Sequence, residues 1–169
     1  MSLSYKAVDW NAFKKRFDIV LICGLACFFT TFIAAGILLH PNLTIEILLM
    51  RASAVAAILL LHLILAIGPL ARINRMWLPL LYNRRHLGVT MFLLALTHSM
   101  LAILTYHVGG GVNPVVSVFT TDAGFRMSSF PFQAFGFAAL LILFIMAATS
   151  HDFWLKNLTA PVWKRLHMG

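Results

Sequence analysis

ASAVAAILLLHLILAIGPLA, residues 52–71, passes twenty positions without a charge between Arg51 and Arg72. About 20 apolar residues in a helix are what a hydrocarbon core roughly 30 Å thick requires. Three further stretches read the same way: residues 19–39, between Asp18 and His40-Pro41; residues 87–106, after Arg84-Arg85-His86; and residues 130–150, between Arg126 and Asp152. A core helix of a soluble protein rarely runs so long without a charge, and four in succession predict an all-α integral membrane protein. The expected architecture is a bundle of four transmembrane helices in a single domain, residues 1–169.

Composition agrees. The chain is 61% hydrophobic and 11% charged, with a mean hydropathy of +0.90, whereas soluble domains average about 45–50% apolar and about 25% charged. A soluble globular domain, a disordered chain, a coiled coil and a disulfide scaffold are excluded together. Cys23 and Cys27 both lie inside an apolar run and form neither a disulfide framework nor a zinc spacing.

The net charge of +8 is topological. Lys6, Lys14, Lys15, Arg16, Arg72, Arg75, Arg84, Arg85, Lys156, Lys164 and Arg165 fall on one side of the four spans, leaving Arg51 and Arg126 on the other. The positive-inside rule then predicts cytoplasmic termini in a multi-pass protein of the plasma membrane. Trp10, Trp77, Trp154 and Trp163 share the basic side, where indole rings anchor at headgroups. Membrane lipid is the partner of these charges, and nucleic acid is unnecessary. The basic residues before the first span do not make it a secretory signal, because its apolar run is too long. Gly109-Gly110-Gly111 is a turn-rich loop and not a phosphate cradle, since no Gly-Lys-Ser/Thr follows.

Position separates the histidines. His40, His86, His107 and His151 stand at span ends, where an imidazole reaches water and reads as an interfacial polar group. Ser150-His151-Asp152 has the residue types of a hydrolase triad, but adjacent side chains cannot converge on one reacting atom. His62 is central in the second span. His98 lies eleven residues past Leu87, about 16 Å along a helix. Both are expected near the bilayer midplane, where ionisable groups are costly and functional by default. A cofactor ligand, a proton relay and an interhelical hydrogen bond compete to explain them. A relay ordinarily recruits Asp or Glu, and no span contains either; Asp18 stands at a boundary and Glu46 in a loop. Neutral imidazole is the usual axial ligand of haem iron between helices, so His98 and His62 are candidate haem ligands, His62 the weaker.

Arg84-Arg85-His86-Leu87-Gly88 with His98 in the same helix resembles the Arg-Arg-x-Leu-Gly approach to the ligand helix of the ferric reductase-like transmembrane domain family. Pro131-Phe132, Gly136, Ala148-Thr149-Ser150 and Trp163-Lys164-Arg165-Leu166-His167 follow in the family's order. Within the family this order is most similar to the haem-binding membrane subunits of the bacterial periplasmic methionine sulfoxide reductase system (the MsrQ/YedZ group). The resemblance covers roughly residues 70–169. It implies haem b, with His98 as the ligand of helix three and His167 as the first of two histidines in helix five. It also implies six helices, so that two of them, with a second helix-five histidine, are expected beyond Gly169. His62 lies outside the family pattern.

The function implied is electron transfer through haem b, from quinol or a cytoplasmic flavin reductase to a periplasmic redox partner protein. Quinone or FMN is a further cofactor in that reading. Such a chain is an oxidoreductase component and not a self-contained catalyst. Arg84, Arg85, Lys164 and Arg165 are candidates to pair with haem propionates, chiefly Arg85 and Arg165, with anionic lipid as the competing partner. One alternative is a ferric reductase-type domain delivering electrons to a metal ion or a fused redox module. Another is a non-catalytic membrane anchor whose histidines serve packing.

Overall fold

The computed structural model describes residues 12–108, 113, 116 and 132–149. Four of its helices are long and apolar enough to cross a membrane: α1 (Ala12–Leu39), α2 (Ile45–Ile73), α4 (Arg84–Tyr106) and α5 (Phe132–Thr149). A 3-10 turn, Arg75–Trp77, and the short α3, Leu78–Tyr82, connect α2 to α4. No strand occurs among the described residues. Trp10, the loop glycines, His151, Trp154, Trp163, Lys164, Arg165 and His167 lie outside the described residues.

The helices overrun the apolar spans because helix and bilayer boundaries answer to different forces. α1 begins before Lys14-Lys15-Arg16, and α2 begins before Arg51. Glu46, expected in a loop, instead occupies the first turn of α2, where a carboxylate meets the positive end of the helix dipole. α2 also continues through Pro69; the missing N–H is tolerated in membrane helices because neighbouring elements re-satisfy the freed carbonyl.

Two tight connections set the topology. At one end His40 N–H donates to Gly36 O at 2.9 Å and Leu43 N–H to His40 O at 3.0 Å, turning α1 back into α2. At the basic end Asn74 closes α2 by donating to Leu70 O at 2.9 Å, and its Oδ1 accepts from Met76 N–H at 2.9 Å. Asn83 then closes α3, its Nδ2 donating to Pro79 O at 2.9 Å. These two asparagines turn the loop expected between spans two and three into a helical connector that fixes α4 against α2.

α2 is the central helix, packed most extensively on α4 and also on α1, with α5 on α4. Ala52, Ser53, Ala56 and Ala57 are buried on α2. Small side chains let membrane helices approach closely, which matters because lipid supplies no hydrophobic force between them. Further toward the basic end Leu60, Ile67, Leu87 and Met91 form the core, with Leu143 of α5 packed against it. Phe92 of α4 and Phe144 of α5 pair at a centroid distance of 5.9 Å. Most other large apolar side chains are exposed, as lipid-facing surfaces require.

Polar side chains within the helices answer to their own backbone. Thr30, Thr31, Thr90, Thr97, Ser99 and Thr149 each donate to a carbonyl four residues earlier. Hydrocarbon offers no other partner.

Gly36 of α1 faces Leu48 of α2 with no room for a side chain. A Cβ there would stand 2.5 Å from Leu48 Cδ2 and 3.1 Å from Cδ1, and Leu48 is buried. Gly36→Ala should therefore force Leu48 from its rotamer and cost about 1 kcal/mol, read as a lowered thermal midpoint in detergent. In a Leu48→Ala background the same glycine substitution should cost nothing, because the clash has gone.

Candidate functional site

His98 stands on α4 beside the small-residue seam. Its Nδ1 lies 2.9 Å from the carbonyl oxygen of Met50 on α2. A carbonyl only accepts, so Nδ1 carries the proton and Nε2 keeps its lone pair. The same Met50 oxygen accepts from Ser53 Oγ at 2.9 Å, and Ser53 is fully buried. Two donors from different helices thus meet at one carbonyl. The imidazole is half-buried and its ring is fixed, and among the described residues its Nε2 makes no hydrogen bond.

His62 is built differently. Its Nδ1 donates to Ile58 O at 2.8 Å, one turn back on its own helix, as the threonines do. It is exposed. Successive residues of an α-helix are about 100° apart, which places His62 opposite the buried stripe of Ser53, Ala56, Leu60 and Ile67. The antiparallel register separates it from His98. With Met50 level with His98, His62 lies twelve residues further along α2, about 18 Å toward the basic end. The expectation that both occupy the midplane is corrected by this register: helix ends extend unequally beyond the apolar spans, so counting from the nearest charge misplaces depth. The two imidazoles do not converge.

The structure pairs two residues that were expected to be merely interfacial. His86 Nδ1 lies 2.9 Å from Asp18 Oδ1, joining α4 to α1 across 68 residues of sequence. Both side chains are half-buried. Asp18 is the one acidic residue of α1, and it follows Lys14-Lys15-Arg16. A carboxylate on the cation-rich side of a membrane was the available signal. Its partner could not be read from sequence.

Arg85 is half-buried at the basic end, thirteen residues and about 20 Å along α4 from His98. It therefore shares the level of Asp18 and His86, not that of His98. Arg84 is exposed beside it. His167 and Arg165, the remaining candidate ligand and propionate partner, are outside the described residues.

Among the described residues no three His, Cys, Asp or Glu side chains gather to hold a bare metal ion. His98 offers a different donor set: one neutral imidazole, its Nδ1–H tied to a backbone carbonyl and its Nε2 bare. A bond of that kind is how metal-ligating histidines are ordinarily oriented. Ala95 and Ala102, one turn to either side, leave α4 thinly covered around the ring. A single oriented imidazole fits iron already carried in a macrocycle.

The tautomer is directly measurable. Nitrogen-15 NMR of histidine-labelled protein, with His98 assigned by its absence in His98→Gln, should show Nδ1 protonated and Nε2 bare before any ligand is added. A resonance for the opposite tautomer would break the Met50 assignment.

A protein-family model described as "Ferric reductase like transmembrane component" matches residues 52–169. The matched segment contains the buried seam of α2, all of α4 with His98, and α5. No curated protein and no solved structure matches the chain.

Proposed function

The chain belongs to the ferric reductase-like transmembrane component family, and from that premise we propose that it is a haem b-containing electron-transfer subunit of the bacterial plasma membrane. The observation that carries this reading is His98, whose Nδ1–H is held by Met50 O at 2.9 Å, leaving Nε2 as an iron ligand. Bound haem would supply a one-electron couple at its iron.

The chain's own residues contribute position and burial. The His98–Met50 bond fixes the imidazole plane and tautomer before any ligand arrives. Ser53, on the same carbonyl, holds that acceptor in place. α2 and α4 pack closely enough for the bond to span them. In this reading His167 would be a further ligand of haem iron, and Arg165 would pair with a propionate. His62 would not hold the same iron as His98, because the two stand about 18 Å apart along the bundle. The basic end, with Lys14, Lys15, Arg16, Arg72, Arg84 and Arg85, faces the cytoplasm on the positive-inside rule. Electrons then enter from quinol or a cytoplasmic flavin reductase and leave to a periplasmic redox partner, as in the methionine sulfoxide reductase-type subunits that the sequence resembles.

The test is spectroscopic. The protein carrying this chain should purify with a sharp reduced haem α band, and His98→Ala should remove most of the bound haem. His62→Ala should leave haem content unchanged. Undiminished haem in His98→Ala would overturn the ligand assignment, and a colourless, folded protein would overturn the haem reading.

A further inference from the structure

Ser53 is the one buried polar side chain among the described residues. Ala52, Ala56 and Ala57 are buried beside it on α2, and an alanine would fill nearly the same space. A hydroxyl taken out of water costs free energy unless it is bonded. Ser53 finds its bond inside its own helix, three residues back, so that bond does not join α2 to α4. Neither packing nor helix association accounts for a hydroxyl at this position.

Its acceptor sets Ser53 apart from the other hydroxyls. Thr30, Thr31, Thr90, Thr97, Ser99 and Thr149 bond carbonyls that, among the described residues, no side chain of another helix shares. The Met50 oxygen takes Ser53 Oγ at 2.9 Å and also, from α4, His98 Nδ1 at 2.9 Å. Met50 is itself buried, and within an α-helix a carbonyl ordinarily accepts the N–H four residues on as well. The oxygen has two lone pairs, and hydrocarbon brings no water that could take over one of its donors.

Donors that share one acceptor weaken each other. Each draws electron density from the oxygen and leaves less to attract the next proton. The polarisation that strengthens a chain of hydrogen bonds by about 10–30% per bond works in the opposite sense here. A weaker Nδ1–H bond leaves less electron density at Nε2, the nitrogen that would face iron, and bonds around a ligand tune the metal through its electronics. We propose that Ser53 is a positioning residue that tunes His98: its hydroxyl loosens the His98–Met50 bond, lowers electron donation from Nε2, and holds a bound haem iron at a higher reduction potential than alanine would. This role rests on the haem reading above, but its first step involves only Ser53, Met50 and His98.

The test is Ser53→Ala in the protein carrying this chain, read in two ways. Before haem is added, the Nδ1–H proton resonance of His98 should move downfield from its wild-type position, as a stronger hydrogen bond requires. The resonance of His62, whose Ile58 acceptor is untouched, should stay where it is. In haem-loaded protein the ferric-to-ferrous ratio at a fixed potential should rise about threefold, a midpoint about 28 mV lower at 59 mV per decade for one electron. Ser53→Cys, whose thiol donates weakly, should fall between wild type and Ser53→Ala in both readouts, and it carries the test if Ser53→Ala does not fold. A His98 resonance that stays or moves upfield would overturn the proposal. So would an unchanged or raised midpoint in a variant whose haem content equals that of wild type. A protein that takes up no haem removes the electron-transfer reading, and the His98 resonance then decides by itself whether Ser53 loosens that bond.

Discussion

The register between α2 and α4 is the constraint from which the candidate sites follow. Two antiparallel helices can slide along one another while keeping apolar faces in contact, and each step changes which polar groups share a level. Here the alanine and serine seam permits close approach, and the Asn74 and Asn83 closures shorten the connector between the helices. The Met50 carbonyl then receives both His98 and Ser53. That one register orients His98, removes His62 from its neighbourhood and leaves His86 at the basic end to meet Asp18.

Lipid sharpens every one of these choices. A polar group in hydrocarbon cannot fall back on water, so each finds a partner in the protein. The threonines and His62 use their own helix, a local solution that fixes nothing beyond it. His98 and His86 use a different helix, and so they tie the bundle together at two levels. Interhelical bonds of this kind contribute only about 0.6 kcal/mol on average. Their consequence lies more in orientation than in stability, because each bond through Nδ1 leaves Nε2 available to a ligand. The interhelical-bond and ligand explanations of His98 are therefore compatible.

The layout that results has two levels. His98 belongs to the half of the bundle away from the basic end, within the matched family segment. The Asp18–His86 pair belongs to the basic end and depends on α1. The core of Leu60, Ile67, Leu87 and Met91 fills the basic half.

The sequence by itself determined the four spans, the all-helical class and the clustering of basic residues, and it singled out His98 as a candidate, because length, charge and spacing are local properties of a chain. It also carried the family resemblance, through an ordered set of short motifs. It misplaced Glu46, set His62 beside His98 in depth, and gave the interfacial His86 no partner. Each of those errors has the same origin. Depth along a bundle depends on how far helices overrun the bilayer and on how they slide past one another, which is fixed by side-chain packing between residues far apart in sequence. Only the tertiary structure decided that Met50 would hold His98 and that Asp18 would reach across 68 residues to His86.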